Sequence, residues 1–139
     1  MSVVKKYGLV KEENVIPEEY YGWWRITETS QWVDDRLNLI GTPLISFTGH
    51  DDRLRMLALL ARVKCIPTKN GVSFMWQGAW EYDPVSGTGN VELLEDGTLE
   101  GQIMIEDGDE STFIAIRANE PDKPIPDPPS YRDKWRRRW

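Results

Sequence analysis

Cysteine and histidine are almost missing from this chain. One cysteine (Cys65) rules out a disulfide within it, and one histidine (His50) cannot build a zinc site with that thiol alone. No apolar run approaches the ~18 residues that cross a bilayer as a helix, and no signal-peptide hydrophobic region opens the sequence. Neither a Gly-x-Ser-x-Gly elbow nor a phosphate-loop pattern occurs, so His50, set in a turn between Gly49 and Asp51, receives no catalytic role. The expectation is a cytoplasmic protein with no membrane span, no metal and no cofactor.

Tryptophan, by contrast, is plentiful. Seven occur in 139 residues, five of them from Trp23 to Trp80. Packing of a compact core is the weightier account of these rings, because buried aromatics dominate core energetics. The length suits one domain with tails. The net charge of −6 conceals a division. Residues 131–139 carry five positive side chains and one negative, a net +4, which leaves −10 on the other 130 residues. An acidic body disfavours nucleic acid, whereas the tail suits an anionic surface.

The organising stretch is residues 74–89. Phe74, Trp76, Gly78 and Trp80 recur at every second position, which places them on one face of a strand. Asp83-Pro84 is expected to end that strand, and Ser86-Gly87-Thr88-Gly89 to reverse the chain. Upstream, 17–20 reads as a short helical turn and Gly22–Thr29 as the first strand. Trp24, Ile26 and Glu28 should share one of its faces, with Trp23 on the other. A short helix is expected through 37–40, capped by Asp34 or Asp35. Further strands are read at 44–48, 53–66, 90–95, 99–106 and 111–117, with turns at 49–52, Asp96-Gly97 and Asp107-Gly108. The segment 53–66 fits both a helical and an extended period; flanking turn residues favour one strand.

The whole predicts an all-β fold, a small antiparallel up-and-down barrel of seven or eight strands over residues 20–118. Residues 1–19 form an N-terminal extension. Residues 119–139 form a spacer, with five prolines in twelve residues, and a basic Trp/Arg tail.

The sequence resembles a group of small bacterial Trp-rich β-barrel proteins to which no activity attaches. The shared pattern runs through Trp24-Arg25-Ile26, Glu28 and Trp32, then Phe74, Trp76, Gly78, Glu81 and Asp83, then Ser86, Gly87 and Gly89. It continues through Asp96, Gly97, Leu99 and Gly101 to Gly108, Asp109, Ser111, Phe113, Ala115 and Arg117. Members often carry histidine where this chain has Glu106, so a role resting on that imidazole is absent here. Gly22-x-Trp24 on the first strand and Arg117 on the last are also similar to lipocalin and avidin-like (calycin) barrels. That likeness implies Trp24 at a closed end, stacked under Arg117.

Chemistry in this sequence is mostly carboxylate. Glu81 and Asp83, two apart on a strand, would project together and reach Glu28 or Asp109, an arrangement that acid–base glycoside cleavage can use. Turn capping is the weightier account beside Pro and Gly. The short acidic turn 107–110 lacks the spaced ligand series of a calcium loop. Glu81, Asp83, Ser86, Asp109 and Ser111 are expected at one end of the barrel, with Trp23, Trp32 and Trp80 as stacking surfaces for an apolar or aromatic ligand. The leading functional reading is a non-enzymatic protein-interaction module, an adaptor or inhibitor; the alternative is a small-ligand barrel with an aromatic mouth. Trp135, Arg136, Arg137, Arg138 and Trp139 form an interaction tail, for a protein partner or for self-association as a homodimer.

Overall fold

Strand alternation and seven connections between eight strands close this chain on itself. The structure is a computed structural model that describes residues 16–69 and 71–128. Its strands are β1 (Gly22–Thr29), β2 (Leu44–Phe47), β3 (Asp52–Met56), β4 (Leu59–Pro67), β5 (Val72–Trp80), β6 (Asp83–Leu93), β7 (Leu99–Ile105) and β8 (Glu110–Ala118). Each pairs antiparallel with the next, and β8 returns to β1, giving the expected up-and-down barrel with no free sheet edge. The lower end holds the 17–20 turn and the β2–β3, β4–β5 and β6–β7 turns. The upper end holds the 30–43 loop and the other three turns.

The segment 53–66 is two strands, not one. The chain reverses at Leu57, a non-glycine residue at φ 55° whose amide donates to the Leu37 carbonyl at 2.9 Å. No Gly, Pro or Asn marks this turn. Burial of Leu57 and its bond to the 30–43 loop hold a conformation that local sequence disfavours.

Ser86-Gly87-Thr88-Gly89 is likewise no reversal; it lies inside β6. The chain turns earlier, at Glu81 (φ 60°), whose amide donates to the Ala58 carbonyl at 3.0 Å. Pro84 fits because it precedes the pairing of β6 with β7, which begins at Gly87. The two glycines are seats for aromatic rings. A Cβ at Gly87 would lie 2.6 Å from Trp76 Cζ2, and one at Gly89 2.2 Å from Phe74 Cζ.

Glu28 does not share a face with Trp24 and Ile26. A bulge at Thr27 inserts one residue against β8, so Glu28 pairs with Ile114 and turns outward. Residues 37–40 are not helical. A 3-10 turn at Asp34–Arg36 is followed by single turns closed by Leu39 N–H to Arg36 O and Gly41 N–H to Asn38 O, both 3.2 Å. Asp96-Gly97 turns as expected, with Gly97 at φ 89°.

Side chains fill the interior. Trp24, Trp76, Phe47 and Phe74 are all at most 1 % exposed, and the Phe47 and Phe74 rings meet at 5.8 Å between centroids. Trp76 Nε1–H donates to the Thr88 carbonyl at 3.1 Å, so its one polar atom is satisfied where it is buried. The lower end is closed by a knot of hydrogen bonds. Trp24 Nε1–H donates to Tyr20 O at 3.0 Å, and the Tyr20 hydroxyl accepts from the Leu93 amide at 2.9 Å. The Arg117 guanidinium lies 3.9 Å over the Trp24 ring and donates to the Tyr21 and Glu19 carbonyls at 2.6 and 2.9 Å.

Candidate functional site

The upper end gathers most of the residues read from the sequence as rim or ligand-stacking positions. Thr29 fixes the chain after β1: its hydroxyl donates to Trp32 O at 2.7 Å and accepts from the Trp32 amide at 3.0 Å. That local clamp turns the Trp32 indole onto Trp80 at the end of β5, with ring centroids 5.9 Å apart and planes inclined by 44°. Both rings pack on the core, so they cap the barrel as well as border its mouth. The 30–43 loop and the β5–β6 turn at this end also carry Val33, Leu39 and Tyr82, 61, 66 and 75 % exposed, together with Ile40.

Glu81, Asp83, Ser86, Asp109 and Ser111 all lie toward this same end, as the hairpin register requires. They do not form one carboxylate constellation. Glu81 sits in the β5–β6 turn and Asp83 opens β6 opposite Trp80, so the two flank a reversal instead of sharing a strand face. Glu28 faces outward on the β1–β8 side, across the barrel from both. Ser111, almost wholly buried, accepts from the Gln31 amide at 3.1 Å, lies 3.3 Å from the Ser30 hydroxyl and donates to Thr112 O at 2.8 Å. It anchors the 30–43 loop to β8. Ser86 donates to Glu106 Oε1 at 2.8 Å on the outer face. Trp23 stands apart, near the lower end of β1, between Ser46 and Ala118. The tail residues Trp135 to Trp139 and the extension 1–15 lie outside the described residues.

Sequence reasoning missed one polar centre, at the lower end. The Asp52 carboxylate is buried and accepts from the Ser46 hydroxyl (2.7 Å), the Thr48 hydroxyl (2.6 Å) and the Thr48 and Gly49 amides (2.9 and 2.8 Å). Cys65 Sγ–H donates to it at 3.3 Å. Burial, then the Asp52 charge and this hydrogen bond, push the Cys65 thiol far above its ordinary range. The thiol therefore stays protonated and serves as a donor, not as a nucleophile. Its signal was the run Thr48-Gly49-His50-Asp51-Asp52, in which a short acid can bond backbone behind it. The centre locks the β2–β3 hairpin to β4. His50 lies exposed in that hairpin.

Among the described residues no group of three or more His, Cys, Asp or Glu side chains is arranged to hold a metal ion, and no helix is long and apolar enough to cross a membrane. No protein-family model, curated protein or solved structure matches the chain.

Proposed function

We propose that the protein is a non-enzymatic interaction module that engages another polypeptide through the upper end of its barrel. The observation that carries this reading is the division of apolar side chains. The interior is packed with Trp24, Phe47, Phe74 and Trp76, while Val33, Leu39, Ile40 and Tyr82 are exposed on the loop and turn at the end that holds the Trp32–Trp80 pair. Protein interfaces are enriched in aromatic and large apolar residues at their centre and polar at their rim, which Glu81, Asp83 and Asp109 would supply. An eight-stranded barrel holds either side chains or one small ligand. Filling by tryptophan and phenylalanine favours a surface role over a ligand in the mouth.

A photo-crosslinking amino acid placed at Leu39, in cells of the native host, tests the reading. A single polypeptide should be captured there and not from the same group at Glu100, on β7 toward the other end. Equal capture at both positions, or none at Leu39, would count against it.

A further inference from the structure

The outer wall from β5 to β7 carries charge of one sign. Residues 72–116, which span β5 to β7 and most of β8, hold ten Asp and Glu and no Lys or Arg. On this wall β6 turns the small side chains of Ser86 and Thr88 outward between longer ones. Thr88 lies between Met75 on β5 and Met104 on β7, and Ser86 pairs with Gln77 on β5. The Glu106 amide, just past β7, donates to the Ser86 carbonyl at 2.8 Å, so Gln77, Ser86 and Glu106 form the next row. These two rows border a furrow of about 520 Å³, and the second of them adjoins the β7–β8 turn at the upper end.

Two acceptors in that row lack donors. Gln77 is only 8 % exposed, and among the described residues its carboxamide makes no hydrogen bond, although it lines the furrow. A buried amide without a partner is costly, and a ligand that supplies one recovers the loss. Glu106 accepts from the Ser86 hydroxyl through Oε1 at 2.8 Å, while its Oε2 accepts from none of the described residues. In the other row Met75, 37 % exposed, and Met104 place thioether side chains on either side of Thr88.

From this juxtaposition we infer that the furrow is a subsite for one arginine side chain of the polypeptide docked at the upper end, and the inference rests on that reading of the upper end. The aliphatic stem lies between Met75 and Met104, whose flexible, polarizable side chains adapt to it. The guanidinium stands over Ser86. Gln77 and Glu106 are two strand spacings apart, about 10 Å at the backbone, and the small serine between them leaves room for a planar group that reaches both. Guanidinium presents five donors in a rigid fork, suited to a carboxylate on one side and an amide oxygen on the other. A lysine ammonium is a compact, strongly hydrated point charge and does not match two separated acceptors as well.

Methyl NMR of the full chain, labelled at methionine and titrated with N-acetyl-arginine N-methylamide, tests the furrow by itself. Met75 and Met104 should shift saturably, while interior Met56 stays put and so reports an intact barrel. The norleucine analogue, which has a stem and no cation, should shift neither. Glu106→Gln should weaken binding about tenfold, the loss expected for a hydrogen bond to a charged group, and Gln77→Leu severalfold. In the crosslinking experiment Glu106→Gln should lower capture at Leu39 severalfold. No saturable shift at Met75 and Met104, an equal response to norleucine, or capture at Leu39 indifferent to Glu106→Gln would overturn the inference and leave the reading of the upper end in place. Saturable arginine binding with no capture at Leu39 would overturn that reading, and the inferred partner with it. Met75 and Met104 resonances that move without any probe in Arg136→Glu/Arg137→Glu/Arg138→Glu would also overturn the inference, because the occupant would then be this chain.

Discussion

Replacing Gly89 by alanine tests whether the aromatic rings of β5 rest on glycine. The new Cβ would stand 2.2 Å from Phe74 Cζ, 2.6 Å from Cε2 and 2.7 Å from the Gln102 carbonyl. Carbon contacts are comfortable from about 3.5 Å, so the ring would have to retreat by about 1.3 Å. It has little room: Phe74 is buried, and Phe47 closes in at 5.8 Å. Overpacking of this kind costs ~1–3 kcal/mol, and alanine recovers ~0.4–1 kcal/mol by restricting the unfolded chain. Mid-range values leave a net loss of ~1.3 kcal/mol, readable in urea unfolding followed by tryptophan fluorescence. Phe74→Leu removes the clashing edge, so the double variant should be more stable than additivity predicts, by at least ~0.5 kcal/mol. Were Gly89 instead needed for turn conformation, Phe74→Leu would rescue nothing. A neutral Gly89→Ala, or strictly additive losses, would refute the reasoning.

Trp24→Ala empties a fully buried ring site and should cost ~3–5 kcal/mol in the same assay. Asp52→Ala strands the Ser46 hydroxyl and the Thr48 and Gly49 amides, with ~3–5 kcal/mol lost, while Asp52→Asn should lose less because one oxygen remains. Cys65 has a folded pKa raised above its unfolded value, so its contribution is complete below about pH 8.5 and declines as pH rises toward the folded value. Cys65→Ala should flatten the fall in stability between pH 8 and 10, and the native thiol should resist alkylation there. Asp96 accepts from the Thr98 amide and hydroxyl, which lowers its pKa, so carboxyl NMR should show it titrating below an ordinary aspartate.

The barrel was legible because alternation is a local signal. Phe74, Trp76 and the β1 residues Trp24 and Ile26 announce buried faces without reference to anything distant. Three features were not legible, each for a tertiary reason. Leu57 turns the chain only because Leu37 and the surrounding core hold it. The Ser86–Gly89 run looks like a turn, yet its glycines answer the rings of a neighbouring strand. Glu28 changes face at a bulge set by its pairing with β8. At the upper end, hairpin spacing was enough to bring Glu81, Asp83, Ser86, Asp109 and Ser111 to one side. The Trp32–Trp80 pairing depends on the Thr29 clamp and had no signature beyond the two tryptophans. Asp52 was hidden by its setting, since a turn aspartate reads as solvated until its donors are seen.

The central claim is that the upper rim binds a polypeptide and the interior binds nothing. Native mass spectrometry of the protein purified from its host, beside Leu39→Asp/Tyr82→Ala, tests it most directly. The account predicts a second polypeptide at fixed stoichiometry on the wild type, its loss from the variant at an unchanged melting temperature, and no retained small molecule. A small molecule kept by both proteins, with no polypeptide on either, would contradict it.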